Sequence, residues 1–272
     1  MQNLMGRIRR CAEDYNMICE GDKITVGVSG GKDSLSLLYL LAALRRYYPV
    51  HYDLQAVTID MGLPGMDFSP VAELCAKLDV PYQIKKTEIG PIIFDYRHEK
   101  NPCSMCAKMR RGALNDVLLE LGCNKIALGH HFDDVIETIL MGMLYSGKVE
   151  TMMPKLNSSN FAGMELIRPL YLVKEADIKA WRDYNDLHFI QCACRFTEHC
   201  ATCGGDKPSK RDEMKELIAQ FRKTSDVIES NIFNSVRNIN LRTVIGYHKD
   251  DWEYNFLDDY DKYRKEEDDE GQ

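Results

Sequence analysis

The sequence predicts an α/β fold: a doubly wound, mostly parallel sheet with a small helical extension towards its C-terminal end. Three observations carry the prediction. Short apolar runs alternate with helix-like segments over the first 190 or so residues, the pattern of a parallel sheet covered on both faces. A glycine-bearing hexad, Ser29-Gly30-Gly31-Lys32-Asp33-Ser34, stands at the junction of the first apolar run and a leucine-rich helix. After Cys203-Gly204-Gly205 the pattern turns helical, with no strand alternation.

In order, Leu4 to Cys19 reads as an opening helix that ends at Gly21. Ile24 to Val28 is a buried strand, and the hexad turns it into the helix Leu35 to Leu44. Glycines let the backbone turn sharply and approach a ligand closely; the first-turn amides and helix dipole then favour an anion. Lys32, Ser29 and Ser34 stand where a phosphate can use them, with Gly30, Gly31 and Asp33 completing the loop. Asp53 to Asp60 is the second strand, and Asp60 at its carboxyl end lies where such folds place ligand loops. Ser69-Pro70 begins a helix with serine as N-cap, carrying Val71, Leu74, Cys75 and Leu78 on one face. Pro81 to Lys86 is a third strand. Asn101-Pro102-Cys103-Ser104-Met105-Cys106 leads into a basic helix from Ala107 to Leu121. Lys125 to Gly129 is a fourth strand, followed by His130-His131-Phe132-Asp133-Asp134, a helix from Val135 to Leu144, and an irregular stretch from Tyr145 to Arg168. Lys174 to Asn185 is a helix, as are Lys210 to Arg222 and Asp226 to Asn238. This divides the chain into a nucleotide-binding α/β unit (1–190), a cysteine cluster with helices (191–248) and an acidic, partly disordered tail (249–272).

The apolar share, 44% of 272 residues, suffices for a sizeable core. No apolar stretch follows Arg7 to Arg10 and no run is long enough to span a membrane, so a soluble cytoplasmic protein is expected. The 11 acidic and 4 basic residues from Lys249 onward account for the net charge of −7, leaving 31 of each sign before them. The neutral body leaves nucleic acid open as a partner, with Lys108-Met109-Arg110-Arg111 and Lys207 to Arg211 as basic patches.

Ten cysteines without an export signal argue against a disulfide framework. Cys11, Cys19, Cys75 and Cys123 stand alone and read as small buried apolar residues. Cys103/Cys106 and Cys192/Cys194/Cys200/Cys203 are clustered, which in a reducing compartment points to metal. The Cys103-x-x-Cys106 spacing suits a redox dithiol, half of a zinc site or an iron–sulfur cluster. Asp133 or Asp134 is either the N-cap of the following helix or a carboxylate facing the hexad, able to hold magnesium or assist proton transfer. His130 either lines the nucleotide pocket or is structural.

The hexad resembles the PP-loop of ATP pyrophosphatases, which implies an adenine-nucleotide alpha-hydrolase-like sheet, ATP binding, and release of pyrophosphate. With Pro102 to Cys106, Leu128 to His131 and Asp133-Asp134, Gly147-Lys148, Met153-Pro154-Lys155-Leu156 and Ile167-Arg168-Pro169-Leu170, the chain resembles the TtcA family of tRNA 2-thiocytidine synthases from about residue 20 to 194. The resemblance implies ATP-dependent replacement of a base carbonyl oxygen, at cytidine C2, by sulfur. Placed at the carboxyl edge of the sheet, the hexad with Asp60, His130 and Asp133 is expected to bind ATP, with magnesium at the phosphates and Lys32 and Asp134 as catalytic groups. The resemblance also implies a [4Fe-4S] cluster on Cys103, Cys106 and a third cysteine, a tRNA partner, a sulfur donor such as a cysteine desulfurase, and a homodimer. The chain departs from the family with Cys192-Ala193-Cys194, so Cys192 is the expected third ligand and Cys194 its rival. The spare Cys194, His199, Cys200 and Cys203 suit a separate zinc site. Arg110 and Arg111, one turn beyond Cys106, either contact RNA phosphates or form a solvated basic face. Two other functions fit less of the pattern: a lysidine-synthetase-like ligase, which needs no cysteine pair, and a zinc-stabilised nucleotide- or RNA-binding module without catalysis.

Overall fold

The computed structural model describes residues 2–93, 102–158, 161–185 and 209–260. Its centre is a six-stranded sheet built from β1 (Asp22–Gly27), β2 (Tyr52–Asp60), β3 (Tyr82–Lys86), β4 (Lys125–Ala127), β5 (Lys155–Asn157) and β6 (Glu165–Ile167), in the order β3-β2-β1-β4-β6-β5. All neighbours run parallel except β5, which pairs antiparallel with β6 at the edge. The strand order reverses direction between β1 and β4, and ligands of doubly wound sheets bind beyond the carboxyl ends at such a switch point.

Strand alternation sends the two faces of the sheet into separate cores. Ile24, Val26, Leu54, Ala56 and Ala127 meet one helical layer: α1 (Gln2–Asp14), α2 (Lys32–Leu44), α3 (Ser69–Lys77), α6 (Phe132–Met141) and α7 (Glu175–Tyr184). Val57 and Ile126 meet α5 (Pro102–Glu120) on the other face, through Leu114, Val117 and Leu118. The leucines of α2 are buried on several sides because α1, α7 and the sheet all pack against it. One turn of helix, α4 (Ile89–Pro91), links β3 towards α5. The expected C-terminal helices are present as α8 (Lys210–Thr224) and α9 (Ile228–Ser235), and both pack on α6. No helix among the described residues is long and apolar enough to cross a membrane.

Several local expectations need correction. The opening helix stops at Asp14, and Asn16 takes a left-handed φ of 46° just beyond it. Cys19 is therefore exposed rather than buried, its thiol facing the Asn16 side chain. Ser69 is the first residue of α3 and not its cap; the Asp67 carboxylate accepts the Ser69 amide at 2.9 Å instead. The stretch from Tyr145 to Arg168 contains β5 and β6, whose three residues each are too few to display alternation. A hairpin of β7 (Gly246–Lys249) and β8 (Trp252–Asn255) replaces the strandless C-terminal region and takes up the first residues of the acidic segment. Its turn is Asp250-Asp251, with Asp250 at φ 55°, so the usual Asn-Gly or Asp-Gly signal is missing. Cys103 and Cys106 lie within the first turns of α5, which starts five residues before the expected Ala107.

Candidate nucleotide and cysteine site

The hexad follows β1 and folds onto itself. Gly30 has φ 83°, a conformation that side chains disfavour, and Gly31 is extended at the N-cap of α2. The Ser34 hydroxyl donates to the Gly31 carbonyl at 3.0 Å and accepts the Ser29 amide at 3.2 Å, while the Gly31 amide donates to Ser29 Oγ at 3.4 Å. Lys32 Nζ is held 2.9 Å from Asp33 and 2.8 Å from Glu175 at the start of α7. Burial by itself raises the Glu175 carboxyl, but hydrogen bonds from Lys32 and Lys179 outweigh it and bring its pKa down to about 2.

The turn after β4 packs directly on this loop. A Cβ on Gly129 would lie 3.0 Å from the Asp33 carbonyl carbon and 3.1 Å from the Ser34 amide nitrogen. Glycine there is what lets the two strand ends close on one crevice. Gly129→Ala is expected to push the first turn of α2 outward and weaken nucleotide binding about tenfold, with little loss of melting temperature. Titration calorimetry with a non-hydrolysable ATP analogue checks this; unchanged affinity would contradict it.

Beyond Gly129, His130 and His131 enter α6. His131 is buried and occupies the N-cap position, with Nε2 3.8 Å from Asp33 and Nδ1 3.5 Å from Asp134. The cap bond runs the other way, from the His131 amide to the Asp134 carboxylate at 2.9 Å, so neither aspartate is the N-cap residue. His130 Nδ1 is buried without a hydrogen-bond partner. Burial first, and then the charge of Arg168, hold the His130 imidazole below its ordinary pKa, so it is neutral at pH 7.

The aspartates are tied to the C-terminal helices. Asp133 accepts the Glu175 amide at 2.7 Å and Arg222 Nη2 at 2.5 Å, and Arg222 also pairs with Glu229 of α9. Asp134 pairs with Arg211 Nη1 at 2.9 Å, and Arg211 lies 3.4 Å from Glu137. Burial raises the Glu137 carboxyl to about 7 despite Arg211 and Lys215. A raised carboxyl pKa stabilises the fold only while protonated, so this contribution is lost as pH climbs from the ordinary 4.5 through about 7. Glu137→Gln is therefore expected to match the native protein near pH 5 and exceed it by roughly 2–3 kcal/mol at pH 8 in denaturant titrations. Equal stability at both pH values would contradict this.

Across the crevice, the Asp60 carboxylate at the end of β2 accepts the Gly62 amide at 2.9 Å. Next to it Met61 is buried against Cys106, whose thiol lies 3.5 Å from the Met61 sulfur in a pocket with Ile89 and Ile93. The cysteine helix thus meets the same carboxyl edge as the hexad. Cys106 follows Cys103 by three residues in the first turns of α5, where the helix dipole favours a thiolate. A Cys-x-x-Cys spacing at that place suits an iron–sulfur cluster. Arg110 and Arg111 are exposed further along α5. Cys192 and Cys194, with His199, Cys200 and Cys203, lie outside the described residues. Among the described residues no group of three or more metal-binding side chains forms. The solitary Cys11 and Cys75 behave as apolar residues, with burial raising their thiols to about 12 and about 11.

The hexad, Asp60, His130, Asp133, Asp134 and Cys106 are therefore assembled at one edge. Sequence reasoning did not identify Glu175, Arg211, Arg222, Glu137 or Arg168 as site residues. Glu175 sits in the first turn of α7, where an acidic residue reads only as a helix-dipole partner. Arg211 belongs to a recognised basic patch, but nothing local ties it to Asp134, 77 positions away.

A parallel sheet with a Ser-Gly-Gly-x-Asp-Ser loop at its switch point defines a PP-loop nucleotide-binding protein, and the PP-loop domain model matches residues 3–194. The tRNA-cytidine(32) 2-sulfurtransferases of Paraburkholderia phymatum and Burkholderia mallei are each 38% identical over 239 residues, covering 88% of this chain and 68% and 70% of theirs. The solved U34-tRNA thiolase NcsA from Methanococcus maripaludis with its [4Fe-4S] cluster shares the fold. Its TM-score is 0.69 at 22% identity, over 90% of this chain and 84% of that one. The chain belongs to the TtcA family of PP-loop proteins.

Proposed function

We propose that the protein is an ATP-dependent tRNA sulfurtransferase acting at C2 of a cytidine. The observation that carries this reading is the meeting of Cys106 with Met61 beside Asp60, at the sheet edge that also carries the hexad. Family membership supplies the substrate class; the shared edge supplies a reason for one protein to hold both an ATP loop and a cysteine pair.

In this reading the base oxygen attacks the α-phosphate of ATP and pyrophosphate leaves. Lys32 and the first-turn amides of α2 neutralise the phosphates, with magnesium bound to them. Lys32 is already poised there, and leaves Glu175 and Asp33 for a phosphate that competes with them. Asp134, oriented by the His131 amide and Arg211, faces the activated base and takes the proton that the sulfur nucleophile carries once it has added at C2. His130, neutral, lines the pocket. A sulfur nucleophile then adds at C2, the C–O bond breaks, and AMP departs. Cys103 and Cys106, with Cys192 or Cys194, would hold a [4Fe-4S] cluster, whose chemistry when bound is to present that sulfur. Arg110 and Arg111, exposed on the same helix, contact RNA phosphates. A cysteine desulfurase or similar donor supplies the sulfur, and the protein works in the cytoplasm as a homodimer. Cys194, His199, Cys200 and Cys203 are the candidates for a separate zinc ion.

The test is anaerobic purification with iron and zinc quantitation. An iron-bearing protein with the broad visible absorption of a cluster, lost in Cys103→Ala, supports the reading. Colourless protein with stoichiometric zinc and no iron would overturn the cluster and favour a zinc-stabilised binding module.

A further inference from the structure

Arg168 is a buried cation with no carboxylate in contact among the described residues, Asp134 acting on it only at longer range. It follows β6 and is only 9% exposed. Its Nη1 donates to the Met153 carbonyl, and its Nε is buried without a hydrogen-bond partner. Among the described residues no carboxylate lies within ion-pairing distance of it, whereas Arg211 and Arg222 each hold two. Removing a guanidinium from water without a counter-charge is costly, and groups held in that condition cluster at ligand sites.

Its position says which ligand. The Leu128 amide donates to the Ile167 carbonyl at 3.0 Å, so Arg168 stands one strand over from Gly129-His130. Gly129 in turn packs against the hexad backbone. The order across the edge is thus phosphate loop, histidine turn, buried arginine. Main-chain bonds hold the arginine in place: its amide donates to the Pro154 carbonyl at 2.9 Å, and its carbonyl accepts the Tyr171 amide at 3.0 Å.

We propose that Arg168 binds a phosphate of the nucleotide seated on the hexad, closing the phosphate site from the β6 side. This rests on the reading that ATP is a substrate. Phosphates could come from the nucleotide or from the RNA backbone. Burial favours the nucleotide, because a small ligand enters a crevice that a polynucleotide backbone does not. The guanidinium fork would meet two phosphate oxygens at once, which a lysine cannot reproduce.

The full-length protein, labelled with nitrogen-15 arginine, is titrated with inorganic pyrophosphate and with a non-hydrolysable ATP analogue. The Arg168 Nε–H resonance, identified by its absence in Arg168→Lys, is expected to shift at saturation. Arg168→Met is expected to weaken analogue binding about 10- to 100-fold, with Arg168→Lys recovering part and tRNA affinity unchanged. An unshifted resonance at saturation, equal analogue affinity in Arg168→Met, or a loss confined to tRNA would overturn the proposal. If Arg168→Met does not fold, the resonance in the native protein still decides. If the native protein binds neither pyrophosphate nor the analogue, the ATP reading falls and the proposal with it. Analogue binding that is indifferent to Arg168 overturns the proposal alone.

Discussion

Lys125→Met is expected to destabilise the protein by about 3–5 kcal/mol, a large share of the 5–15 kcal/mol typical of a folded domain. Lys125 opens β4 and is 2% exposed. Its amine lies 2.7 Å from Asp22 and 3.0 Å from Glu165, and donates to the Met17 carbonyl at 2.9 Å. One side chain thus joins β1, β4, β6 and the loop after α1 at the amino edge of the sheet. Asp22 also accepts the Cys19 amide and the Asn124 side chain, so its carboxylate is fixed and cannot turn to water. The replacement leaves that charge buried without its cation, and the cost is the unpaired carboxylate more than the lost pair. Denaturant titration checks this, and a loss under about 1 kcal/mol would mean that water reaches the site. Adding Asp22→Asn should restore part of the loss, because it removes the stranded charge.

Lys32→Ala is expected to lower the rate of base adenylation about 100- to 1000-fold while changing stability by no more than about 1 kcal/mol. The two effects separate because the lysine is partly exposed and its carboxylate partners can be solvated, whereas in the proposed adenylation its charge would meet phosphates as pyrophosphate leaves. Glu175 is the internal control. Without Lys32 its carboxyl, held down to about 2, should move up towards the ordinary range. The stability that depression confers is present above the ordinary carboxylate pKa and lost as pH falls towards 2, so the part that Lys32 supplies is lost at pH 7 as well, offset there by the relieved cost of burying the lysine's own charge. Quenched-flow measurement of pyrophosphate release decides the point; a rate within about tenfold of native would show that the loop amides suffice.

The parts of the site that were legible in the sequence are those whose chemistry is local. The hexad declares itself within six residues, and the β4 turn within another six, because glycine, aspartate and hydroxyl positions there are set by one backbone conformation. The parallel sheet followed from the length and spacing of the apolar runs. What was not legible depends on chain ends that meet only after folding. Arg222 reaches Asp133 across 89 positions, and no periodicity or motif marks that pairing. From sequence the Asp133-Asp134 pair read either as a cap or as carboxylates facing the hexad; folding assigns the cap to His131 and binds both carboxylates to α8. The edge strands β5 and β6 escaped because a three-residue strand has no period to read. Cys106 announced a metal-binding spacing, yet its contact with Met61 beside Asp60, on which the proposed function rests, is a tertiary fact.

The most direct test of the central claim is a single-turnover reaction with ATP, unmodified tRNA and a sulfide source under anaerobic conditions, followed by nucleoside mass spectrometry. The account predicts 2-thiocytidine together with equimolar AMP and pyrophosphate, and predicts that Cys106→Ser abolishes the thionucleoside while ATP binding persists. A tRNA that leaves the reaction with all its oxygens, or gains an amino acid instead of sulfur, would contradict it.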